Sequence, residues 1–418
     1  MRRHWPNFLF ALALVLGAGC ARNEPQQLTL RTGVWRMTLD LNGTLLPFLF
    51  DLDRDSAANW GVVIHNGAER INVPDVSFRH DTLVIRMPLF DSEFRGVARN
   101  DSSFSGHWHN YLQGPDYRIP FEARAGVVDR FEKAPTPGRF ITVDGAWRAR
   151  FDLDSKDAYD AIGVFEQRDD IVTGTFETET GDYRFLEGVV RGDSLLLSCF
   201  DGSHAYLFGA TLGPDGLSGR FWSGTHWQEP WVATRNETFK LHDADSLTAL
   251  RAGVDRVEIR FPNLEGHLVS IDDPAFAGHP VMLQVMGSWC PNCVDEALLL
   301  KEMYTKYHPA GLEVVAVAFE KYDDPDRAIA GLVRFRETLG IQFPILYGGL
   351  AAKDVAAQKL PFLNHVMSYP TCVFIDRSGV VRRIRTGFYG PGTGDHYVDY
   401  KRDLELFIQQ LLAEPTPS

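Results

Sequence analysis

The chain has 418 residues, of which 44% are hydrophobic and 23% are charged, an ordinary composition for a soluble protein. Since that length exceeds a typical single domain, two or three domains are expected, each with its own core. The formal net charge of −13, without any basic patch along the sequence, argues against a nucleic-acid partner.

Residues 1–20 indicate an export signal that is not part of the fold. Two arginines precede an apolar run from Phe8 to Leu16, and small residues lead to Cys20. The run is too short to span a membrane. Its ending resembles the lipobox of bacterial lipoproteins, with the leucine one place early, and this resemblance implies a lipid anchor on Cys20. We expect a protein of the periplasm or cell envelope, anchored to a membrane, or a secreted protein if Cys20 is not lipidated.

An internal repeat follows the export signal. The sequence Gly33–Arg36 recurs 112 residues later as Gly145–Arg148, and a strand-like run at 81–85 recurs with the same offset. Because a fixed period is typical of duplication, two copies are predicted, at 33–125 and 140–235, with a proline-rich linker between them.

Each copy consists of short alternating runs separated by Gly, Asp and Asn, without a long helical period. This pattern predicts an all-β meander that closes into a barrel or a sandwich. The Gly-x-Trp that opens each copy resembles the first strand of lipocalin-like and avidin-like barrels. Aromatic stretches at 107–109 and 221–227 could line a ligand site, but packing in the barrel core and rim is the favoured interpretation.

The last third alternates strands and helices, which predicts an α/β domain over 258–412. A helix is expected to begin at Pro291, directly after an apolar strand. The other predicted elements are strands at 281–286, 312–319, 371–375 and 380–385, and helices at 327–339 and 404–412.

The most informative motif is Trp289-Cys290-Pro291-Asn292-Cys293. Cys290 falls at the N-cap of the predicted helix, where the helix dipole favours the thiolate that attacks disulfides. Cys293 lies within one turn and can close the ring, releasing a mixed-disulfide partner. A zinc site would need a second local pair of ligands, which the sequence lacks. We therefore expect no metal and no cofactor other than a redox-active Cys290–Cys293 disulfide.

Residues 258–412 resemble the TlpA/ResA branch of thioredoxin-like proteins. The likeness rests on an entry hairpin at 261–271, the Trp-Cys-x-x-Cys motif, Glu296, and Tyr369-Pro370-Thr371 before an apolar strand. It implies a thioredoxin-like fold and a thiol-disulfide oxidoreductase, in most members a reductase. The implied partners are protein thiols and disulfides of the cell envelope, including those of apocytochromes during cytochrome c maturation.

The resemblance also implies roles for particular residues. Cys290 and Cys293 would be the catalytic thiols, Glu296 would accept or return a proton, and Pro370 would form a cis peptide bond beside the thiols. A solvated glutamate in the first turn is the alternative for Glu296. The residues expected around the substrate groove are Trp289, Pro291, Tyr369 and Thr371.

The sequence departs from the family pattern near the thiols. Gln284 stands where thioredoxins carry a buried Asp, so deprotonation of Cys293 must depend on Glu296 or water. The Pro291-Asn292 dipeptide is also unusual. Cys199 and Cys372 lie in apolar runs, and we expect both to be buried free thiols.

Other functions compete with this interpretation. A copper chaperone of the Sco kind would use the cysteine pair with a distal histidine such as His365, although its cysteines have a C-x₃-C spacing. A redoxin-type peroxidase would need a Thr-x-x-Cys setting, which is absent before Cys290. In another alternative, the chain is an envelope lipoprotein whose β repeats bind a ligand or partner, with an accessory redox domain.

Overall fold

The computed structural model describes residues 29–132, 141–153 and 155–415. The predicted export signal, Cys20 and most of the predicted linker lie outside these residues. Buried apolar side chains in the described ranges form three hydrophobic clusters, one in each of two β barrels and one in an α/β redox domain.

Barrel one closes from eight antiparallel strands in simple sequence order. Side chains alternate between the interior and the surface, as the period-two pattern requires. Trp35 is fully buried, and its indole N–H donates to the Arg31 carbonyl at 3.0 Å. The strands are β1 (Gly33–Leu41), β2 (Thr44–Arg54), β3 (Trp60–Asn66), β4 (Glu69–Arg79), β5 (Thr82–Arg86), β6 (Ser92–Asn100), β7 (Ser103–Asn110) and β8 (Arg118–Ala125).

Barrel two repeats this plan. Trp147, the tryptophan of its opening Gly-x-Trp, donates its indole N–H to the Val143 carbonyl at 2.8 Å, again four residues earlier in the chain. Pairing of β10 with both β9 and β11 closes the ring, and the short β12 extends from β11. The strands are β9 (Gly145–Phe151), β10 (Tyr159–Arg168), β11 (Ile171–Thr178), β12 (Gly181–Asp182), β13 (Leu186–Arg191), β14 (Ser194–Phe200), β15 (Ala205–Gly213), β16 (Gly216–Ser223) and β17 (Trp227–Arg235).

The all-β prediction is confirmed for this region, and of the two alternatives the barrel is adopted. Aromatic side chains fill both interiors. Trp108 belongs to the core of barrel one and Phe221 to that of barrel two, so both pack in barrel cores.

The redox domain is built on a five-stranded mixed sheet in the order β22-β21-β20-β23-β24, as the prediction of a thioredoxin-like fold requires. Its central strands are buried on both faces, which explains their continuous apolar sequences. The strands of this sheet are β20 (Val281–Met286), β21 (Glu313–Glu320), β22 (Ile345–Leu350), β23 (Thr371–Ile375) and β24 (Val381–Thr386). Before it, β18 (Arg260–Pro262) and β19 (Leu268–Ser270) form a separate antiparallel pair.

Four helices complete the redox domain. They are α1 (Pro291–Tyr307), α2 (Pro325–Leu339), α3 (Lys353–Lys359) and α4 (Asp395–Ala413). The closing helix begins nine residues before the predicted start at Leu404. Its first half has no buried residue, so the apolar period that marks a helix begins only at Leu404.

Candidate active site

The loop after β20 places the cysteine pair at the start of α1. Cys290 is the N-cap residue, with extended backbone angles, and its Sγ accepts the backbone N–H of Cys293 at 3.2 Å. Pro291 occupies the first turn, where an N–H has no partner within the helix. The Cys290 sulfur therefore lies at the positive end of the helix dipole, which stabilises a negative charge on it.

Cys293 lies one turn further along the helix and is fully buried. Burial, together with its hydrogen bond to Cys290, raises the pKa of the Cys293 thiol. Both cysteines are free thiols in this structure. A buried thiol with a raised pKa needs a nearby base before it can attack as a thiolate.

Glu296 is a buried carboxylate on the same helix, and its charge contributes to the raised pKa of Cys293. It is 2% exposed, and it accepts a hydrogen bond from Gln284 Nε2 at 2.8 Å. Burial raises the pKa of Glu296 to about 7, while the Gln284 hydrogen bond opposes the shift. Gln284 thus orients the carboxylate without competing for its proton. A carboxylate with a pKa near neutrality can accept and return protons at physiological pH.

A second buried glutamate supports the loop before Cys290. Glu320 accepts hydrogen bonds from the backbone N–H and the hydroxyl of Ser288, at 2.8 and 2.7 Å. Trp289 Nε1 donates to the Phe319 carbonyl at 2.9 Å. These contacts join the loop to the end of β21 and fix the direction from which Cys290 enters the helix.

The loop before β23 forms the other side of the site. The Tyr369–Pro370 peptide bond is cis, the isomer that the sequence predicts. The Cys290 thiol lies 3.5 Å from the Tyr369 carbonyl oxygen, to which it can donate. The rings of Tyr369 and Trp289 meet edge to face, with centroids 5.6 Å apart. The structure therefore brings the predicted thiols, glutamate and proline loop together in one site.

Barrel two covers this site, and no sequence pattern predicted that contact. Between the two domains lies a cavity of about 690 Å³, which we call the thiol groove. Trp289, Cys290 and Pro291 line it on the redox side together with Tyr369, whereas Thr371 is buried and donates to the Ser368 carbonyl. The barrel side is formed mainly by Tyr159, Tyr183, His204, Tyr206 and residues 179–182, which comprise the turn after β11 and the short β12 and are called the 179–182 connection below.

With this geometry in place, the comparisons with known proteins identify the family. The AhpC/TSA family matches residues 253–384. The thiol-disulfide oxidoreductase ResA of Geobacillus kaustophilus is 31% identical over 140 residues, which cover 34% of this chain and 72% of that protein. The chain belongs to the ResA-like thiol-disulfide oxidoreductases.

The chain is also similar to another curated protein and to solved structures. The thioredoxin-like protein YneN of Bacillus subtilis is 28% identical over 138 residues, 33% of this chain and 73% of that protein. Among solved structures, a thioredoxin-family thiol:disulfide interchange protein from Chlorobium tepidum aligns over 40% of this chain and 100% of its own, with 17% identity and a TM-score of 0.29.

A buried cluster of charged side chains connects both barrels to α1. Arg184 pairs with Glu69 of barrel one and Asp295 of α1, lies 3.8 Å from Asp201, and donates to the Pro291 carbonyl at 3.1 Å. Burial raises the pKa of Asp295 to about 7, and the positive charge of Arg184 opposes that shift. One guanidinium thus contacts barrel one, barrel two and the start of α1, one residue after Cys290.

Of the remaining candidates, Cys372 lies beside the site, since it pairs with Gln284 across β20 and β23. His365 is exposed, and Cys199 and Cys372 are buried in β14 and β23. In the described part of the chain, no three His, Cys, Asp or Glu side chains are grouped so that they could hold a metal ion. None of the helices within the described ranges has the length and apolar character needed to cross a membrane.

Proposed function

We propose that this chain is an exported, membrane-anchored oxidoreductase that reduces protein disulfides in the cell envelope through Cys290 and Cys293. The observation that carries the proposal is the placement of Cys290 at the N-cap of α1, with the Cys293 N–H on its sulfur. The export signal predicted for residues 1–20 and the predicted lipid anchor at Cys20 support the location, and membership of the ResA-like family supports the substrate class.

In the proposed reaction, the Cys290 thiolate attacks one sulfur of a substrate disulfide and releases the other as a thiolate. Glu296 accepts the proton of Cys293, which then attacks the Cys290 sulfur and releases the second substrate thiol. Two electrons pass to the substrate, and the Cys290–Cys293 disulfide remains until an external dithiol reduces it.

Two matched variants test this assignment. Cys290→Ser should abolish disulfide reduction, whereas Cys293→Ser should accumulate a mixed disulfide with substrate on Cys290. Mass spectrometry of the envelope fraction would identify the trapped partner, and fractionation with a Cys20→Ala variant would test the anchor. Reduction that persists in Cys290→Ser, or faster alkylation of Cys293 than of Cys290 below neutral pH, would contradict the assigned roles.

A further inference from the structure

The nucleophile faces barrel two across a confined space. Cys290 is 6% exposed and lies on the wall of the thiol groove, whose volume is about 690 Å³. That volume lies within the range of roughly 300–1,000 Å³ that is typical of small-ligand sites. Because barrel two lies over Cys290 and leaves it 6% exposed, the groove favours a slender substrate that can enter between the two domains.

The barrel-two residues that line the groove make direct contacts with the Cys290–Cys293 motif and with the loop before β23. Asn292, the unusual residue between the two cysteines, donates to the carbonyls of Asp182 and Phe388, each at 3.2 Å. A side chain at Gly181 would place its Cβ 2.2 Å from Asn292 Nδ2, and Gly181 has a φ of +137°. Ser368 donates to the Thr180 carbonyl at 3.0 Å. The 179–182 connection is thus held on both sides of the thiol.

The groove also presents aromatic faces beside the thiol. The rings of His204 and Tyr206 stack with centroids 4.6 Å apart, and both residues line the groove. The neighbouring Ser203 donates to the Trp289 carbonyl at 3.1 Å, which fixes this pair against the redox motif. Aromatic faces in a groove bind aromatic side chains by offset or edge-to-face contacts.

Resting on the proposed function, we propose that barrel two is the substrate-selecting wall of the thiol site. The groove takes a disulfide carried by a short extended peptide with an aromatic residue next to a half-cystine, and it excludes the disulfide of a folded protein. The chemical step is the exchange given above. Cys290 forms a bond to one substrate sulfur, the substrate S–S bond breaks, and an external dithiol supplies the two electrons.

Three substrates test the selection by the whole protein with a dithiol reductant. They are a short disulfide-bonded peptide with tyrosine beside each cysteine, the same peptide with alanine there, and a folded protein with a surface disulfide. We expect kcat/KM for the folded protein to be about a hundredfold lower than for the tyrosine peptide, since displaced reacting atoms lose roughly that factor. The alanine peptide should be about three- to tenfold poorer because it lacks the aromatic contact.

Two variants assign the selection to barrel two. Gly181→Ala should push the 179–182 connection off Asn292 and raise kcat/KM for the folded protein about tenfold or more towards the peptide value. The matched control is Gly192→Ala, which changes another positive-φ glycine of barrel two with no neighbour within 4 Å and should leave the selectivity unchanged. Tyr206→Leu should lower kcat/KM for the tyrosine peptide towards that of the alanine peptide, and so remove the preference between the two.

The outcomes separate this proposal from the proposed function. Equal reduction of peptide and folded-protein disulfides by the unaltered protein would overturn the selecting wall and leave the oxidoreductase intact. Reduction of none of the three substrates would overturn the oxidoreductase, and the wall with it. If Gly181→Ala does not fold, an unchanged tyrosine preference in a folded Tyr206→Leu variant would still overturn the aromatic part of the wall.

Discussion

The two barrels share a strand plan but use the same connection in different ways. In barrel one the β5–β6 connection inserts Phe90 into the core of the redox domain, and Asp91 pairs with α2. In barrel two the equivalent β14–β15 connection carries Ser203 and His204 to the residues around Cys290. The two similar barrels thus differ in role: barrel one anchors the redox domain, and barrel two contacts the residues around Cys290.

The largest effect is expected where both barrels meet α1. Arg184→Met leaves Asp295, Glu69 and Asp201 buried without their cation, which should cost about 3–5 kcal/mol in the free energy of unfolding. The loss should be greater at pH 8 than at pH 5.5, because carboxylates without a cation protonate more readily as the pH falls. Chemical denaturation at both pH values measures it.

Arg148→Met provides the matched control for this prediction. Arg148 belongs to barrel two and pairs with Asp160 at 3.0 Å, but its side chain is 46% exposed. An exposed pair of this kind contributes less than about 1 kcal/mol. Equal losses in the two variants would show that the buried cluster does not hold the barrels to the redox domain.

The anchor of barrel one should affect stability without altering substrate choice. Phe90 is 6% exposed within the redox core, so Phe90→Ala should cost about 3–4 kcal/mol through lost burial and the cavity that remains. Val97→Ala, at a side chain that is 49% exposed on the same barrel, should change stability little. Below the unfolding transition, the ratio of peptide to folded-protein reduction should match that of the unaltered protein. A changed ratio would mean that barrel one also shapes the groove.

The sequence predicted the parts of this molecule that depend on local patterns. The alternating side-chain pattern and the recurring Gly-x-Trp predicted two all-β repeats, either barrels or sandwiches, and the apolar run before Cys290 predicted the start of α1. The contact between barrel two and the thiols joins segments more than 100 residues apart, such as Asn292 and Asp182. No periodicity records such a contact. The unusual Asn292 is the residue between the cysteines that makes this contact, but nothing in a single sequence connects Asn292 with Gly181.

A variant of Glu296 tests a part of the proposed reaction that depends on the redox domain alone. The hydrogen-bond partner of Glu296 is Gln284, which belongs to that domain. The Glu296 pKa of about 7 exceeds the ordinary value of 4.5, so the contribution of Glu296 to stability is complete below pH 4.5 and is lost as the pH rises through 7. Glu296→Gln should therefore be the more stable protein at pH 8, by at most roughly 3 kcal/mol. Its reduction rate should be lower and should lose the rise near pH 7.

Glu302→Gln is the control on the same helix, because Glu302 is exposed and paired with Lys401. It should keep both the stability profile and the pH dependence of the rate. An unchanged pH–rate profile in Glu296→Gln would assign the proton transfer from Cys293 to water and leave Glu296 without a catalytic role.

The smallest effect is expected at the polar part of the barrel-one anchor. Burial alone would raise the pKa of Asp91, but hydrogen bonds from Tyr322 at 2.6 Å and Arg327 at 2.8 Å lower it below the ordinary 3.8. Its contribution is therefore present above pH 3.8 and is lost as the pH falls through the lowered pKa. Asp91→Asn should cost about 1–2 kcal/mol in the free energy of unfolding at pH 7, since an amide retains part of this hydrogen bonding. The cost should be smaller as the pH falls towards 3, because the unaltered protein then loses the contribution of the Asp91 charge. Asp75→Asn, at a side chain that is 60% exposed, should cost far less. A loss from Asp91→Asn that stays constant down to pH 3 would show that the charge of Asp91 does not hold barrel one to α2.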